Sequence, residues 1–173
     1  MESQDISIKP AATADDLKTA QDLAEVIWHQ HYPGIITHKQ IRYMLDTGYA
    51  AEVLADDISR GVRLCIVCSG KQPIGVLAFG PIGKGCETKL HKLYVLQSFH
   101  GQGIGSMLLQ HVEDECRRAE CTDIHLLVNK HNLKAIRAYE RAGLKIRKSC
   151  ITAIGNGFFM DDFVMGKSLA ATG

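Results

Sequence analysis

"VLQSFHGQGIGSMLL", residues 95–109, decides how this chain is read. The apolar segment before it, residues 89–96, has the look of a strand. His100, Gly101, Gln102, Gly103, Ile104 and Gly105 then form a glycine-rich loop, and a periodic apolar segment begins at once. Strand, glycine loop and helix in that order make a phosphate site. The first amides of a helix have no intrahelical acceptor, and the helix dipole adds positive potential at that end. Glycines there let a diphosphate approach without Cβ atoms in the way.

The ligand is narrowed by what is missing. A dinucleotide fingerprint needs a third glycine where Ser106 stands, and an acid after the next strand, which ends in Val128 and Asn129. The loop also follows a run of antiparallel-looking strands and does not open a βαβ unit. A P-loop needs Lys-Ser or Lys-Thr after the glycines, and neither follows. The plain alternative is a tight turn that only brings the helix close to the strand.

Working outward, residues 4–9 alternate polar and apolar as a first strand. Thr13 and Asp16 form a capping box for a helix running to about His31, with Leu17, Ala20, Leu23, Ala24 and Ile27 on one face. Tyr32, Pro33 and Gly34 stop it. Thr37 and Gln40 read as a second capping box, opening a short helix, and a further helical piece covers 50–59. Strands 62–69 and 74–80 are joined by a hairpin at 70–73. Strand 88–96 leads to the loop and a helix over 103–119. Strand 123–128, a short helix ending at Gly143, and strands 144–153 and 158–169 follow, the last two turning at 155–157. This order predicts a mixed α/β sheet in one domain spanning 1–173.

Composition leaves few other classes. The chain of 173 residues is 46% hydrophobic and 23% charged, as an ordinary globular domain is. A net charge of +1 offers no basic field for nucleic acid. Apolar runs such as 75–79 are too short for a membrane span. The acidic start, residues 1–5, does not read as a secretory signal, so a cytoplasmic location is expected. Cys65 and Cys68 have zinc-knuckle spacing, but in a strand residues three apart face opposite ways. The cysteines read as structural thiols and no metal site is expected.

Two motifs together carry a resemblance. "LYVLQSFHGQGIGSMLLQHVEDE" and, some twenty-five residues later, "NKHNLKAIRAYERAGLK" resemble the GNAT superfamily of N-acetyltransferases. Its acyl-CoA signature, [R/Q]-x-x-G-x-[G/A], lies between a strand and a helix. Its second motif is matched here by Asn132, Ala135, Tyr139 and the Gly143–Leu144 pair. The resemblance implies a sheet of six to seven strands, helices on both faces and splayed central strands. One position departs: His100 replaces the usual Arg or Gln.

The resemblance implies acetyl-CoA as cofactor. Backbone amides of Gln102, Gly103, Ile104, Gly105 and Ser106 would hold the pyrophosphate, with His100 and Gly101 at the loop entrance. Leu93, Tyr94 and Val95 would pair with the pantetheine through their backbone, and a freed amide near Tyr94 or Val95 would polarise the thioester. Asn129, Asn132 and Ala135 complete the cofactor side. Lys134, Arg137 and Arg141 are cations for the 3′-phosphate end, although such a row is also an ordinary solvated face.

Tyr139 occupies the family's general-acid position, where a phenol protonates the departing thiolate. Two residues compete for the general base, Glu87 and His91. On a regular strand His91 shares a face with Leu93 and Val95, and a bulge would break that parity. Asp161 and Asp162 are neighbours on a strand, so at most one points into an acceptor site. Trp28, His29, His31, Tyr32 and Tyr43 cluster in the first helices. Trp28, Tyr32 and Tyr43 are the candidate acceptor contacts, since aromatic rings suit a cationic amine. "IWHQHYPGIITHKQIRYML" resembles the matching segment of bacterial small-amine and polyamine-type acetyltransferases.

The expected function is direct acetyl transfer from acetyl-CoA to the primary amine of a small molecule. A protein or peptide N-terminus is the alternative acceptor, and a non-catalytic acyl-CoA sensor is the alternative of a different class. A homodimer is common among relatives of this kind.

Overall fold

The computed structural model describes residues 4–169. Residues 1–3 of the acidic start lie outside them. The elements are β1 (Ile6–Pro10), α1 (Ala14–His31), α2 (His38–Gly48), α3 (Ala51–Ser59), β2 (Arg63–Ser69), β3 (Gln72–Gly80), β4 (Glu87–Val95), a 3-10 turn (Gln97–Phe99), α4 (Ile104–Arg118), β5 (Asp123–Asn129), α5 (Leu133–Arg141), β6 (Lys145–Gly155) and β7 (Phe158–Ser168). They build a mixed seven-stranded sheet in the order β1-β2-β3-β4-β5-β7-β6.

Helices cover both faces of the sheet. Phe79, Leu108, Val112, Leu126, Ile136 and Met165 belong to the core beneath α4 and α5. Ala20, Ile27, Ile41, Leu54 and Val76 belong to the core beneath α1–α3. A central strand packed on both sides reads as a nearly continuous apolar run, and β3 is buried from Ile74 to Gly80 for that reason. Cys65 and Cys68 do fall in opposite cores, as strand alternation requires.

The local signals at α1 hold. Thr13 accepts from the Asp16 amide at 3.2 Å, and Asp16 accepts from the Thr13 amide at 3.0 Å. The second capping box is only half formed. Thr37 accepts from the Gln40 amide at 3.1 Å, but the Gln40 side chain donates to the Phe159 carbonyl at 2.8 Å. A long-range acceptor on β7 has taken the amide that a local cap would use, and α2 is tied to β7 as a result.

Two irregularities shape the centre of the sheet. The first is a bulge in β4. Phe79 stands opposite Leu90 and Ala78 opposite Lys92, which leaves His91 as the extra residue. Thr88 and Leu90 lie under α4, yet so do Leu93 and Val95, because the bulge reverses the parity. Tyr94 consequently faces the α1–α3 side. His91 therefore does not continue the row of Leu93 and Val95. The second irregularity is the short ladder between β4 and β5. These parallel strands pair only over Glu87–Lys89 against Asp123–His125. Beyond Lys89, β4 bonds only to β3 and β5 only to β7. The central strands are thus splayed at their C-terminal ends.

Candidate active site where the central strands part

The glycine loop lies at the open end of the splay. Gly101 and Gly103 have φ of 76° and 77°, and Gly103 is the N-cap of α4. These two glycines answer to backbone conformation. Gly105 does not. It lies in the first helical turn without a positive φ, and a Cβ built there would meet no atom of the protein within 4 Å. A glycine inside a helix costs about 1 kcal/mol relative to alanine. The fold gives no reason for it, whereas close approach of a ligand does. α4 has no side-chain cap, so its first amides stay available to an anion. These residues fit the diphosphate of coenzyme A.

His100 has a different task from the arginine or glutamine it replaces. Its Nε2 lies 2.8 Å from the Val95 carbonyl, and its Nδ1 lies 2.9 Å from the Lys134 ammonium. A carbonyl accepts and an ammonium donates, so this pair of contacts suits the tautomer with its proton on Nε2. It clasps the end of β4 to the start of α5. Gln102 turns away and donates to the Ser98 carbonyl at 3.4 Å. Ile104 is buried and anchors the helix start, beside Ser106 in the same first turn.

The opposite wall of the splay is made by β5 and α5. Asn129 is buried, and its Oδ1 accepts from the His131 amide at 2.9 Å. Asn132 caps α5, accepting from the Ala135 amide at 3.4 Å, and it is close enough to His31 to influence its ring. Burial lowers the pKa of His31, Asn132 opposes that, and the positive charge of Lys134 adds to it. α1, the glycine loop and α5 therefore meet at one cluster.

Tyr139 lies on α5, half-buried against the α4 side. Desolvation pushes its hydroxyl up to about 12, so it is a phenol, and a proton donor, throughout the neutral range. The Tyr32 and Tyr94 hydroxyls are 3.3 Å apart. Burial raises both, and both feel Tyr139 and Asp162 electrostatically. Three phenols and one carboxylate from α1, β4, α5 and β7 thus share a single electrostatic neighbourhood.

Asp162 is the unexpected member. It is 4% exposed, and its Oδ1 has no hydrogen-bond partner among the described residues. It stands opposite Asn129 on one side and Cys150 on the other. Burial first and Asp161 second raise its carboxyl to about 6, with Lys89 and Lys130 opposing. Asp161 instead pairs with Lys130 at 2.6 Å. Strand alternation sent one acid inward, as the pattern requires, but the sequence offers no means of telling which. Only burial separates them.

The remaining candidates are dispersed. Glu87 is exposed at the paired end of β4, opposite Asp123. The Nε2 of His91 is bonded to the Gly80 carbonyl at 3.2 Å, and burial lowers its pKa. Trp28 is inside the core and not on a cavity wall. Its indole N–H donates to the Tyr49 hydroxyl at 3.3 Å, and its ring packs 4.4 Å from Tyr32 and 5.7 Å from Tyr94. The Tyr43 hydroxyl donates to the Ile154 carbonyl at 2.7 Å, and its ring packs on Phe158. It fastens α2 to the β6–β7 hairpin. Of the three aromatics, only Tyr32 joins the phenol cluster.

Next to this centre, an open groove of about 460 Å³ is lined by the α1–α2 connection with Gln40, Asn129, His131, Phe159 and Asp161. That volume is within the range of small-molecule sites. Phe159, 60% exposed, forms its rim.

The comparisons agree with this architecture. The sequence model described as "Acetyltransferase (GNAT) family" matches residues 21–144. A curated protein of Bacillus subtilis, YdhI, described as uncharacterized, is 33% identical over 70 residues. That match spans 40% of this chain and 41% of that protein. Among solved structures, the PaiA N-acetyltransferase of Thermoplasma acidophilum in complex with coenzyme A superposes with a TM-score of 0.79 at 23% identity, covering 94% of this chain and 98% of that one. The ribosomal-protein-S18-alanine N-acetyltransferase of Escherichia coli superposes with a TM-score of 0.72 at 16% identity, covering 97% and 96%. Arabidopsis thaliana Naa50 in complex with a bisubstrate analogue superposes with a TM-score of 0.69 at 23% identity, covering 94% and 98%. At these identities the likenesses establish the fold.

Proposed function

The chain belongs to the acetyltransferase (GNAT) family, and from that premise we propose that it transfers an acetyl group from acetyl-CoA to the primary amine of a small molecule of the polyamine kind, as a single domain in the cytoplasm. The observation that carries this reading is the combination of a β4–β5 ladder that ends at Lys89 with the glycine cradle at the same end of β4. Past Lys89, the β5-facing edge of β4 can pair with the pantetheine amides as an added strand does. The α4 amides receive the diphosphate, and Lys134, held by His100, brings a cation to the same side.

Tyr139 supplies the proton for the departing thiolate, which its raised pKa keeps in place. The acceptor enters from the α1–α2 side, where an open groove of about 460 Å³ admits a small amine and is bounded by Asp161. An ammonium group favours such an acidic, aromatic surrounding.

The deciding experiment is thiol release from acetyl-CoA over a panel of diamines, polyamines, aminoglycosides, amino acids and short peptides, with the mass of each product checked. Release with diamines or polyamines, and an acetyl mass gain on them, is the expected result. Release with peptides alone replaces the small acceptor by a protein N-terminus. Acetyl-CoA binding without release to any amine replaces the enzyme by a sensor.

A further inference from the structure

We propose that Asp162 is the group that recognises the acceptor's ammonium and takes its proton, a role for which the sequence pattern favours His91 or Glu87. This rests on the acetyl-transfer reading above. Three observations carry it. Phe163 and Met165 face the α4 side, so strand alternation turns Asp162 with its register partner Asn129 to the α1–α3 side; it is buried, and its Oδ1 is unpartnered. A buried carboxylate oxygen without a donor is costly for a fold to keep. A bound ammonium would satisfy it. Second, the groups around it are those of the reaction centre: Tyr32 from α1, Tyr94 from β4, and Tyr139 from α5 acting on both phenols. Lys89 from β4, Lys130 after β5, and its neighbour Asp161 complete the charges facing it, with Asn129 and Cys150 beside it in register.

Third, the competing bases stand elsewhere. The Nε2–H of His91 donates to the Gly80 carbonyl in the bulge, and the charges that act on its ring are those of Lys89, Lys92 and Asp57, away from the phenol cluster. Glu87 is exposed at the paired end of the strand. Asp161 is tied to Lys130.

The proton balance closes. The ammonium gives one proton to the Asp162 carboxylate, and the free amine attacks the thioester carbonyl to form the C–N bond. The C–S bond then breaks. Tyr139 protonates the leaving sulfur and recovers a proton from the former amine nitrogen. Asp162 returns its proton to water, so amide, thiol and one proton are the products. Desolvation beside the phenols also weakens the ammonium's hold on its proton.

The test is the pH dependence of kcat/KM for thiol release, measured with two amines of the active class that have well-separated pKa values, such as 1,2-diaminoethane and 1,4-diaminobutane. With Asp162 as base, activity rises through about pH 6 to a plateau for both amines and falls only when each amine loses its own proton. Asp162→Asn loses the plateau and about 100-fold in kcat/KM, while its affinity for acetyl-CoA stays at the wild-type value, which also reports an intact fold. Asp161→Asn shifts the rise in activity to lower pH, because Asp161 raises the Asp162 carboxyl, and retains a plateau. A wild-type rate that climbs steadily to each amine's own pKa, with no plateau near pH 6, overturns the proposal without any variant. Wild-type turnover that survives Asp162→Asn overturns this proposal alone. Failure of the wild type with every amine overturns the transfer reading on which it stands.

Discussion

The two halves of the site are built on different principles. The cofactor half is made of backbone: a strand end, a left-handed turn at Gly101 and Gly103, and the first amides of α4. Its parts are contiguous, and its chemistry depends on what the side chains leave open. The proposed acceptor half is made of side chains from the end of α1, β4, α5 and β7, namely Tyr32, Tyr94, Tyr139 and Asp162. Its parts are far apart in the chain, and its chemistry depends on burial. The first half can be recognised as a word in the sequence. The second exists only once the sheet has assembled.

Variants test this contrast from its strongest point downward. Gly105→Val should abolish coenzyme A binding within the range of isothermal calorimetry, a loss of at least about 100-fold, equivalent to roughly 2.7 kcal/mol. Thermal unfolding should remain near wild type, because valine is tolerated slightly better than glycine in a helix and the position is open to solvent. Gly103→Val is a poorer test, since its φ of 77° strains any other residue. Unchanged binding by a folded Gly105→Val variant would remove the loop from the cofactor site.

Tyr139→Phe comes next. Turnover should fall by about 100-fold, the usual scale for a lost general acid, with acetyl-CoA affinity nearly unchanged. Equal turnover takes Tyr139 out of the reaction.

The third variant asks whether a side chain supports the backbone half. His100→Ala removes the clasp between the Val95 carbonyl and Lys134. Coenzyme A should bind about tenfold more weakly, as expected for roughly 1–1.5 kcal/mol of lost positioning hydrogen bonds. Arginine at this position bonds phosphate but cannot accept from Lys134, so His100→Arg should restore binding only in part. Full restoration would show that the clasp has no role.

Stability provides an independent view of Asp162. Its folded pKa, about 6, lies above the ordinary carboxylate value of 3.8. The native state therefore holds this proton more tightly than the unfolded chain does. The contribution is stabilising below pH 3.8, fades as pH rises from there through 6, and is a penalty of up to about 3 kcal/mol above that. Asp162→Asn should raise the melting temperature at pH 8 and change it little at pH 4. A variant less stable than wild type at pH 8 would mean that the carboxylate is satisfied in the fold. The smallest effect is expected from His91→Asn, with kcat/KM within about threefold of wild type, since an amide can still donate to the Gly80 carbonyl. A loss on the scale of Asp162→Asn would restore His91 as a base.

Where the structure departs from local pattern, a distant contact or register is the reason. His91 shares a face with Leu93 and Val95 only on a regular strand, and the bulge that breaks that parity leaves no mark in a single sequence. Gln40 looked like a capping residue until β7 offered its side chain a distant carbonyl. Trp28 and Tyr43 looked like ligand contacts because aromatic character does not distinguish a core packer from a cavity wall.

From the sequence alone came the order of elements, the capping of α1, the turn at 155–157, the opposite facing of Cys65 and Cys68, and the glycine cradle with its following helix. Each depends on interactions among residues a few positions apart, where periodicity and backbone preference decide. The tertiary structure alone decided where β4 and β5 part, which of two adjacent aspartates is buried, and which phenols meet. Those outcomes depend on register and desolvation, and both are properties of the assembled sheet.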